Sequence, residues 1–285
     1  MSEIADYAAV LDRLKNARVA CVGDLMLDWF IDGEVERISP EAPIPVLRIT
    51  EERSMLGGAG NVVRNIVALG ATATFASVIG YDQAGREVTA LLEKEIGRTP
   101  GLVVEQDRPS TIKTRYFAGA QQILRADKET QSPLGRAAQD DLLQRCVAIV
   151  GECDVLIMSD YAKGVLTPTV IEVLIARAHS NGKRVVVDPK GADYARYRGA
   201  YVICPNRREL HEATGLPATT DEEVVAAARH LRDNCRIENV LVTRSQDGLT
   251  LLAGDEVHHM PARAREVFDV SGAGDTVVAA LATAL

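Results

Sequence analysis

The second half of the chain alternates short apolar runs with segments in which apolar side chains recur at helical spacing. The apolar runs lie at residues 155–158, 185–187, 201–204 and 240–243. Between them, apolar positions three and four residues apart indicate helices with one buried face. These positions are Leu142, Leu143, Cys146, Val147 and Val150, then Val170, Ile171, Leu174, Ile175 and Ala178, and then Val224, Val225, Ala228, Leu231 and Cys235. The alternation predicts βαβ units, and therefore an α/β fold with a mostly parallel sheet flanked by helices.

The first half of the chain contains a different pattern. Residues 31–50 carry three prolines and extended-type residues, which predicts strands of a semi-exposed sheet. Residues 111–117 and 121–126 flank Ala118-Gly119-Ala120 and predict a hairpin. We expect these segments, at about 31–50 and 111–126, to form a small β-sheet lid over one mouth of the large sheet. Further core elements are predicted as strands at residues 18–22 and 72–78 and as helices at residues 61–69 and 83–94.

Composition restricts the partners and the compartment. The 285 residues are 47% hydrophobic and 25% charged, which predicts a single globular domain over residues 1–285. A net charge of −8 and an aromatic content of 4% argue against nucleic acid or a membrane surface as the partner. The five cysteines are odd in number and form no Cys-x-x-Cys pair, which predicts buried thiols in the reducing cytoplasm. The first twenty residues show no signal peptide, and we expect no membrane span.

Two common phosphate-binding loops are excluded. The segment from Gly80 to Gly85 has P-loop glycine spacing, but Arg86-Glu87 replaces the required Lys and Ser/Thr. The segment Gly58-Ala59-Gly60 has Val63 where a dinucleotide fingerprint needs its third glycine. A nicotinamide-dependent dehydrogenase is therefore disfavoured.

The sharpest motif is Asp-Val-Ser-Gly-Ala-Gly-Asp-Thr at residues 269–276, directly before an apolar helical run. Its glycines permit close backbone approach by a ligand, and the helix start offers unpaired N–H groups to an anion. Asp275 beside such a site fits a base that deprotonates a hydroxyl while a phosphoryl group is held alongside. The alternative interpretation is that Asp275 only caps a helix after a glycine turn.

A second glycine-rich motif, Gly57-Gly58-Ala59-Gly60-Asn61, opens another predicted helix. It fits either a turn with Asn61 as the helix N-cap or a site where the backbone approaches a polyhydroxylated ligand. Polar residues also follow the predicted strands, where ligands bind in open α/β sheets. These residues are Asp24, Asp28, Ser159, Asp160, Asp188, Lys190, Asn206 and Thr243.

The motifs and their order resemble the ribokinase-like (PfkB) carbohydrate kinases. The resemblance rests on Gly-Gly-x-Gly-Asn at residues 57–61, on Asn206 with Glu209 three residues later, and on Gly-Ala-Gly-Asp at 272–275. It implies a ribokinase-like α/β sandwich with a small β-sheet lid, and an ATP-dependent, Mg²⁺-assisted carbohydrate kinase. Four further segments are similar to the D-glycero-β-D-manno-heptose-7-phosphate kinase group. They are residues 37–46, 121–127, 159–164 and 242–245.

That closer resemblance implies phosphorylation of O1 of the heptose 7-phosphate on the way to ADP-heptose for the lipopolysaccharide core. It implies Asp275 as the catalytic base and the N–H groups of Gly272, Ala273 and Gly274 as an anion hole. For ATP it implies Asn206, Arg207, Arg208, Glu209, Lys190 and Thr243, with Glu209 in the Mg²⁺ shell. For the sugar phosphate it implies Asp28, Gly57, Gly58, Asn61, Arg125, Asp160 and Lys163, with Lys113 and Arg115 as alternative phosphate ligands.

Members of this family often dimerise through the lid, so we expect a homodimer. Relatives also usually continue beyond the helix that begins near Gly272, so the C-terminal part of the family fold is expected to be missing. Two alternatives remain open at this point. The chain fits another sugar or sugar-phosphate kinase of the same family, or a catalytically silent sugar-binding relative.

Overall fold

The structure, a computed structural model, describes residue 12, residues 14–263 and residues 272–285. The strands are β1 (Arg18–Gly23), β2 (Leu25–Ile38), β3 (Pro45–Gly58), β4 (Thr72–Gly80), β5 (Gly101–Glu105), β6 (Thr111–Ala118), β7 (Gln121–Lys128), β8 (Val155–Ser159), β9 (Arg184–Asp188), β10 (Val202–Ile203), β11 (Asn239–Thr243), β12 (Leu249–Ala253) and β13 (Glu256–Met260). The helices are α1 (Ala59–Ala68), α2 (Gln83–Ile96), α3 (Arg136–Glu152), α4 (Pro168–Ser180), α5 (Arg207–Thr214), α6 (Asp221–Cys235) and α7 (Ala273–Ala284).

Within the described part of the chain, nine strands form one large sheet in the order β13-β12-β11-β10-β9-β8-β1-β4-β5. The strands from β11 to β5 pair in parallel, and β12 and β13 add an antiparallel edge. Side chains of β1 alternate between two cores, with Ala20 and Val22 in one and Val19 and Cys21 in the other. A strand buried on both faces needs a continuous apolar run, which explains why the pattern was readable from sequence. The predicted α/β fold is confirmed.

Helices cover both faces of the large sheet. Apolar side chains of α3, α4 and α6 pack on one face, and those of α1, α2 and α7 pack on the other. Local signals set several helix starts. The Thr167 side chain caps α4 with Pro168 in its first turn, and Thr220 and Glu223 form a reciprocal capping box at α6.

Across the described ranges, no helix combines the length and the apolarity needed to cross a bilayer.

A second sheet forms the lid, in the order β3-β2-β6-β7. Its strands β2 and β3 together span residues 25–58, so the predicted segment 31–50 begins too late and ends too early. The reason is that a single residue, Asp24, separates β1 from β2, so the chain passes from the large sheet into the lid almost without a turn. The predicted hairpin is confirmed as β6 and β7. The predicted strand at 201–204 shortens to two residues, and β5 and β12 were not predicted.

Candidate active site

The carboxylate of Asp275 lies in the first turn of α7 and is only 5% exposed. The Tyr161 hydroxyl donates a hydrogen bond to its Oδ1 at 2.6 Å, and the Asn61 amide donates one to its Oδ2 at 2.7 Å. Burial raises the pKa of Asp275, whereas the two hydrogen bonds act in the opposite direction. A carboxylate held at both oxygens in a mostly buried site is positioned to accept a proton.

The start of α7 is fixed by a glycine and by helix α1. Gly272 is the N-cap of α7 and has a φ of 77°, in the left-handed region that favours glycine. The Asn61 side chain packs against Gly272 so closely that no Cβ fits there. Thr276 Oγ1 donates to Asn65 Oδ1 at 3.0 Å, which ties α7 to α1 one turn further along. Residues 269–271 of the sequence motif lie outside the described residues.

Two cavities meet at Asp275. The smaller cavity, of about 180 Å³, is lined by Asp160, Tyr161, Asp188, Lys190, Cys204, Asn206, Glu209, Thr243 and Gly272 to Asp275. The larger cavity, of about 350 Å³, is lined by Met26, Asp28, Phe30, Met55, Leu56, Gly58, Asn61, Lys113, Arg115, Arg125, Tyr161, Gly272 and Asp275. Tyr161, Gly272 and Asp275 line both, so a group bound in either cavity can reach the carboxylate.

The smaller cavity is rich in oxygen atoms. Asn206 and Glu209 form a reciprocal capping box at the start of α5, with bonds of 2.9 and 3.0 Å. Lys190 Nζ lies 2.8 Å from Glu209 Oε1. Burial and the negative charges of Asp275 and Glu209 hold the pKa of Asp188 well above its ordinary value. A positive charge brought into this cavity would relieve that repulsion.

Oxygen-rich walls of this kind suit Mg²⁺, which usually keeps several waters and takes few protein carboxylates. Among the described residues, no group of three or more His, Cys, Asp or Glu side chains could hold a metal by itself. The residues present therefore fit a Mg²⁺ ion whose other ligands are phosphate oxygens and water, with Glu209 as its protein contact.

Besides Asp275, the larger cavity combines the carboxylate of Asp28 with cationic side chains from the lid. Arg115 donates to Asp28 Oδ1 at 2.6 Å, and Lys113 lies 3.0 Å from Asp127. Arg125 also pairs with Asp127, at 3.1 Å, but remains about half exposed. A carboxylate next to arginine and lysine donors suits a ligand that carries both hydroxyls and an anionic group.

The sequence-based site residues are mostly brought together. The members that line one of the two cavities are Asp28, Gly58, Asn61, Arg125, Asp160, Lys190, Asn206, Glu209, Thr243, Gly272, Ala273, Gly274 and Asp275. Gly57 lies behind Asp28, where a Cβ would overlap the Asp28 carboxylate. It therefore provides room for that carboxylate rather than a direct contact.

Besides Gly57, three predicted residues do not line either cavity. Lys163 Nζ lies 2.7 Å from Glu129, and Lys163 is absent from the lining of the larger cavity, so its assignment to the sugar phosphate is not supported. Arg207 pairs with Asp247 at 2.5 Å, and Arg208 pairs with Glu212 along α5 at 2.7 Å. Both arginines are on the right helix, but its first turn directs the side chains of Asn206 and Glu209, not theirs, to the cavity.

Asp160 lines the smaller cavity, but its carboxylate is already satisfied within the protein. Oδ1 accepts the Ala162 N–H at 2.7 Å, and Oδ2 accepts the Tyr197 hydroxyl at 2.6 Å. Arg196 also lies 3.1 Å from Oδ2. This geometry does not support the predicted sugar contact, because the buried carboxylate already has partners in the loop after β8 and in the segment of Arg196 and Tyr197.

Sequence reasoning missed the roles of Tyr161 and Asp188. Tyr161 belongs to the 159–164 segment that resembled the heptose kinase group, but no chemistry was assigned to it. Asp188 ends a predicted strand, which was the available signal, yet nothing in the sequence indicated which strand-end carboxylate would face the cavity. The contact between Tyr161 and Asp275 joins residues 114 positions apart, and spacing alone does not reveal such a pair.

Comparisons with known proteins agree with this geometry. Residues 16–285 match the family model described as pfkB family carbohydrate kinase. The chain is 57% identical over 286 residues to the Bifunctional protein HldE of Paramagnetospirillum magneticum, covering 100% of this chain and 59% of that protein. It is 54% identical over 279 residues to the Bifunctional protein HldE of Rhodospirillum rubrum, covering 98% and 56%. The chain thus spans a little over half the length of these curated relatives.

Solved structures show the same fold at low sequence identity. Arabidopsis thaliana ribokinase, complexed with ribose and ATP, superposes with a TM-score of 0.72 at 18% identity, covering 94% of this chain and 86% of that one. Escherichia coli phosphofructokinase-2 in complex with fructose-6-phosphate gives 0.75 at 22% identity, covering 94% and 87%. The resemblance drawn from the motifs is confirmed, and the chain belongs to the pfkB family of carbohydrate kinases.

Proposed function

We propose that this chain transfers the γ-phosphoryl group of ATP to O1 of D-glycero-β-D-manno-heptose 7-phosphate, giving the 1,7-bisphosphate for ADP-heptose synthesis. The observation that carries the proposal is the position of Asp275, a buried carboxylate at a helix start that borders both cavities. One cavity has the oxygen and lysine groups suited to Mg²⁺-bound phosphates. The other has the mixed charges suited to a sugar phosphate.

In this mechanism Asp275 accepts the proton of the O1 hydroxyl as that oxygen bonds to the γ-phosphorus, and the bond from this phosphorus to the β-phosphate oxygen breaks to release ADP. The N–H groups of Gly272, Ala273 and Gly274 lie at the positive end of α7 and stabilise the negative charge on the transferred group. Phosphoryl transfer asks the protein mainly for positioning and charge stabilisation, which the two facing cavities supply.

The ATP phosphates occupy the smaller cavity. Asn206, Lys190 and Thr243 bind them there, and Glu209 is the residue that would hold Mg²⁺. Mg²⁺, when bound, neutralises charge on the phosphates. Lys190 lies close to Glu209, so that the lysine can bind a phosphate while the neighbouring carboxylate binds the metal.

The sugar phosphate occupies the larger cavity. Asp28 and Asn61 bind its hydroxyls, and the 7-phosphate dianion needs cations, because desolvating it without a partner is costly. The net charge of the chain is −8, so these cations are local. Arg125, Lys113 and Arg115 all line this cavity and are the candidate ligands of the 7-phosphate. We propose Arg125 as the first of them to test.

The test compares kcat/KM for heptose 7-phosphate and for unphosphorylated heptose in the wild type, in Arg125→Ala and in Lys163→Ala. We expect a strong wild-type preference for the phosphorylated sugar. Arg125→Ala should reduce that preference by raising KM more than it lowers kcat, since the contact is similar in ground and transition states. Lys163→Ala is the matched control and should keep the preference. Equal kcat/KM for both sugars in the wild type would favour a kinase for an unphosphorylated sugar.

We infer that two chains associate through their lids, in the cytoplasm. Exposed apolar side chains on the lid support the first part, namely Ile38, Ile44, Ile49 and Leu124. The five cysteines support the second, because all are free and buried, as expected in a reducing compartment. Light scattering at high micromolar concentration should give the mass of a dimer, and a monomer there would contradict the association.

A further inference from the structure

The loop of residues 160–165, which follows β8, contributes Tyr161 to both cavities and has a strained backbone at Ala162. Ala162 has a φ of 55°, which non-glycine residues rarely adopt, and Gly164 has a φ of 90°. Such conformations persist only where the surrounding structure enforces them, and they concentrate at functional sites. The groups that enforce this conformation are therefore of functional interest.

The carboxylate of Asp24 holds this loop. Asp24 lies between β1 and β2, where the chain leaves the large sheet for the lid, and it is 1% exposed. Its Oδ2 accepts the N–H groups of Tyr161 at 2.8 Å and Lys163 at 3.1 Å, and its Oδ1 accepts that of Val165 at 3.1 Å. An ionised carboxylate can accept all three, because it has only acceptor sites.

The loop presents the Tyr161 side chain to the site. Its hydroxyl donates to Asp275 Oδ1 at 2.6 Å, while Asn61 holds Oδ2. Each oxygen of Asp275 is thereby fixed by one neutral donor and keeps a lone pair for a proton from the sugar. Because Tyr161 lines both cavities, it also separates the two binding regions at the point where they meet.

We propose that Tyr161 is a positioning residue for the Asp275 carboxylate, and that Asp24 keeps Tyr161 in place by accepting the backbone N–H groups of the 160–165 loop. The proposal rests on the proposed function, in which Asp275 accepts the hydroxyl proton. The Tyr161 bond orients the carboxylate and stabilises its charged form. The hydrogen bonds to Asp24 act indirectly, because they fix the backbone of the loop that carries Tyr161.

The surroundings of Asp275 determine the direction of the pH effect. The titratable groups that face it are Asp28 from β2, Asp188 at the end of β9, the Cys21 thiol from β1 and Tyr161 itself. Burial and the charge of Asp28 raise the pKa of Asp275, and the bonds from Tyr161 and Asn61 lower it. Removal of the Tyr161 hydroxyl therefore raises this pKa further, so the acid limb of the kcat/KM profile moves to higher pH.

The decisive variant is Tyr161→Phe, with Tyr194→Phe as the matched control. Tyr194 is a buried tyrosine, whereas Tyr161 is partly buried, and the Tyr194 hydroxyl has no hydrogen-bond partner among the residues that the structure describes. We expect Tyr161→Phe to raise the midpoint pH of the acid limb of the kcat/KM profile and the pKa of Asp275, each by about one unit. This is the size expected for the loss of a hydrogen bond to a carboxylate. Tyr194→Phe should match the wild type in both measurements. The Asp275 pKa is read by carbon-13 NMR titration of its carboxyl resonance, assigned by its loss in Asp275→Asn.

Asp24→Asn tests the second part of the proposal. It keeps the shape but sets an NH₂ group against backbone donors, so we expect a kcat at least tenfold lower with a smaller change in sugar KM. In the double variant with Tyr161→Phe, the effects of the two substitutions on kcat should not add, because both act through the hydrogen bond from Tyr161 to Asp275.

An acid limb and an Asp275 pKa that stay at wild-type values in Tyr161→Phe would overturn the inference. If Asp24→Asn does not fold, the Tyr161→Phe measurements still decide the central point. Failure of the proposed function is distinguishable, because it gives no turnover of heptose 7-phosphate by the wild type. The NMR titration still reports the effect of Tyr161 in that case.

Discussion

Replacement of Gly272 by alanine tests how closely the start of α7 must approach α1. A Cβ at Gly272 would lie well inside 3.0 Å of Asn61 Nδ2, a distance that real Cβ atoms essentially never show. Relief to an ordinary contact requires about 1 Å of movement by the amide that donates to Asp275. A displacement of about 1 Å in a catalytic group can cost about 10²-fold in rate. We therefore expect kcat to fall by roughly that factor.

A second cost arises from the backbone. Gly272 has a φ of 77°, and an L-residue in the left-handed region costs about 1–2 kcal/mol. Gly254→Ala is the matched control, because Gly254 has a φ of 56° and an added Cβ there meets nothing within 4 Å. Both variants should lose free energy of unfolding in urea denaturation through the backbone, and Gly272→Ala should lose more because its Cβ also displaces Asn61.

Only Gly272→Ala should then lose turnover in a coupled assay of ADP release with heptose 7-phosphate. The comparison separates a local effect on Asn61 from a general loss of stability. Wild-type kcat in Gly272→Ala, or an equal loss of kcat in both variants, would refute the reasoning.

Three further outcomes are expected. Asp275→Asn should keep the fold and bind the sugar in calorimetry, but lower turnover by about 10²–10⁴-fold, the usual contribution of a positioned base; near-normal turnover would remove Asp275 from the mechanism. Gly57→Ala should raise the sugar KM measured by the same coupled assay, since its Cβ would displace the Asp28 carboxylate, and an unchanged KM would contradict that role of Asp28. Burial raises the pKa of Asp24 from its ordinary 3.8 to about 6, so the folded protein binds more protons than the unfolded chain between these values. Its stability should therefore fall by up to about 3 kcal/mol from pH 4 to pH 6 relative to Asp24→Asn in denaturant titrations, and a constant difference would exclude that pKa.

Most of the large sheet could be predicted from local sequence. The runs that became β8, β9 and β11 are apolar at their central positions because helices cover both of their faces, so each position of the run indicated burial. The lid was harder to predict. Its strands β2 and β3 are polar along much of their length, and their ends are set by pairing with each other and by the junction with β1 rather than by local preference.

For the site, the sequence by itself determined the residue types and the motifs. Gly272 to Asp275 and Asn206 with Glu209 were predicted as site residues because glycine turns and helix starts have local signatures, and they line the smaller cavity. Tertiary structure alone decided which charges are free and which are already paired. Lys163 and Asp160 have the right chemistry, but Glu129, Arg196 and Tyr197 already engage them, and these partners are distant in sequence. The choice of Tyr161 as the donor to Asp275 was likewise made by packing, since a hydrogen bond depends on where two chain segments meet in space.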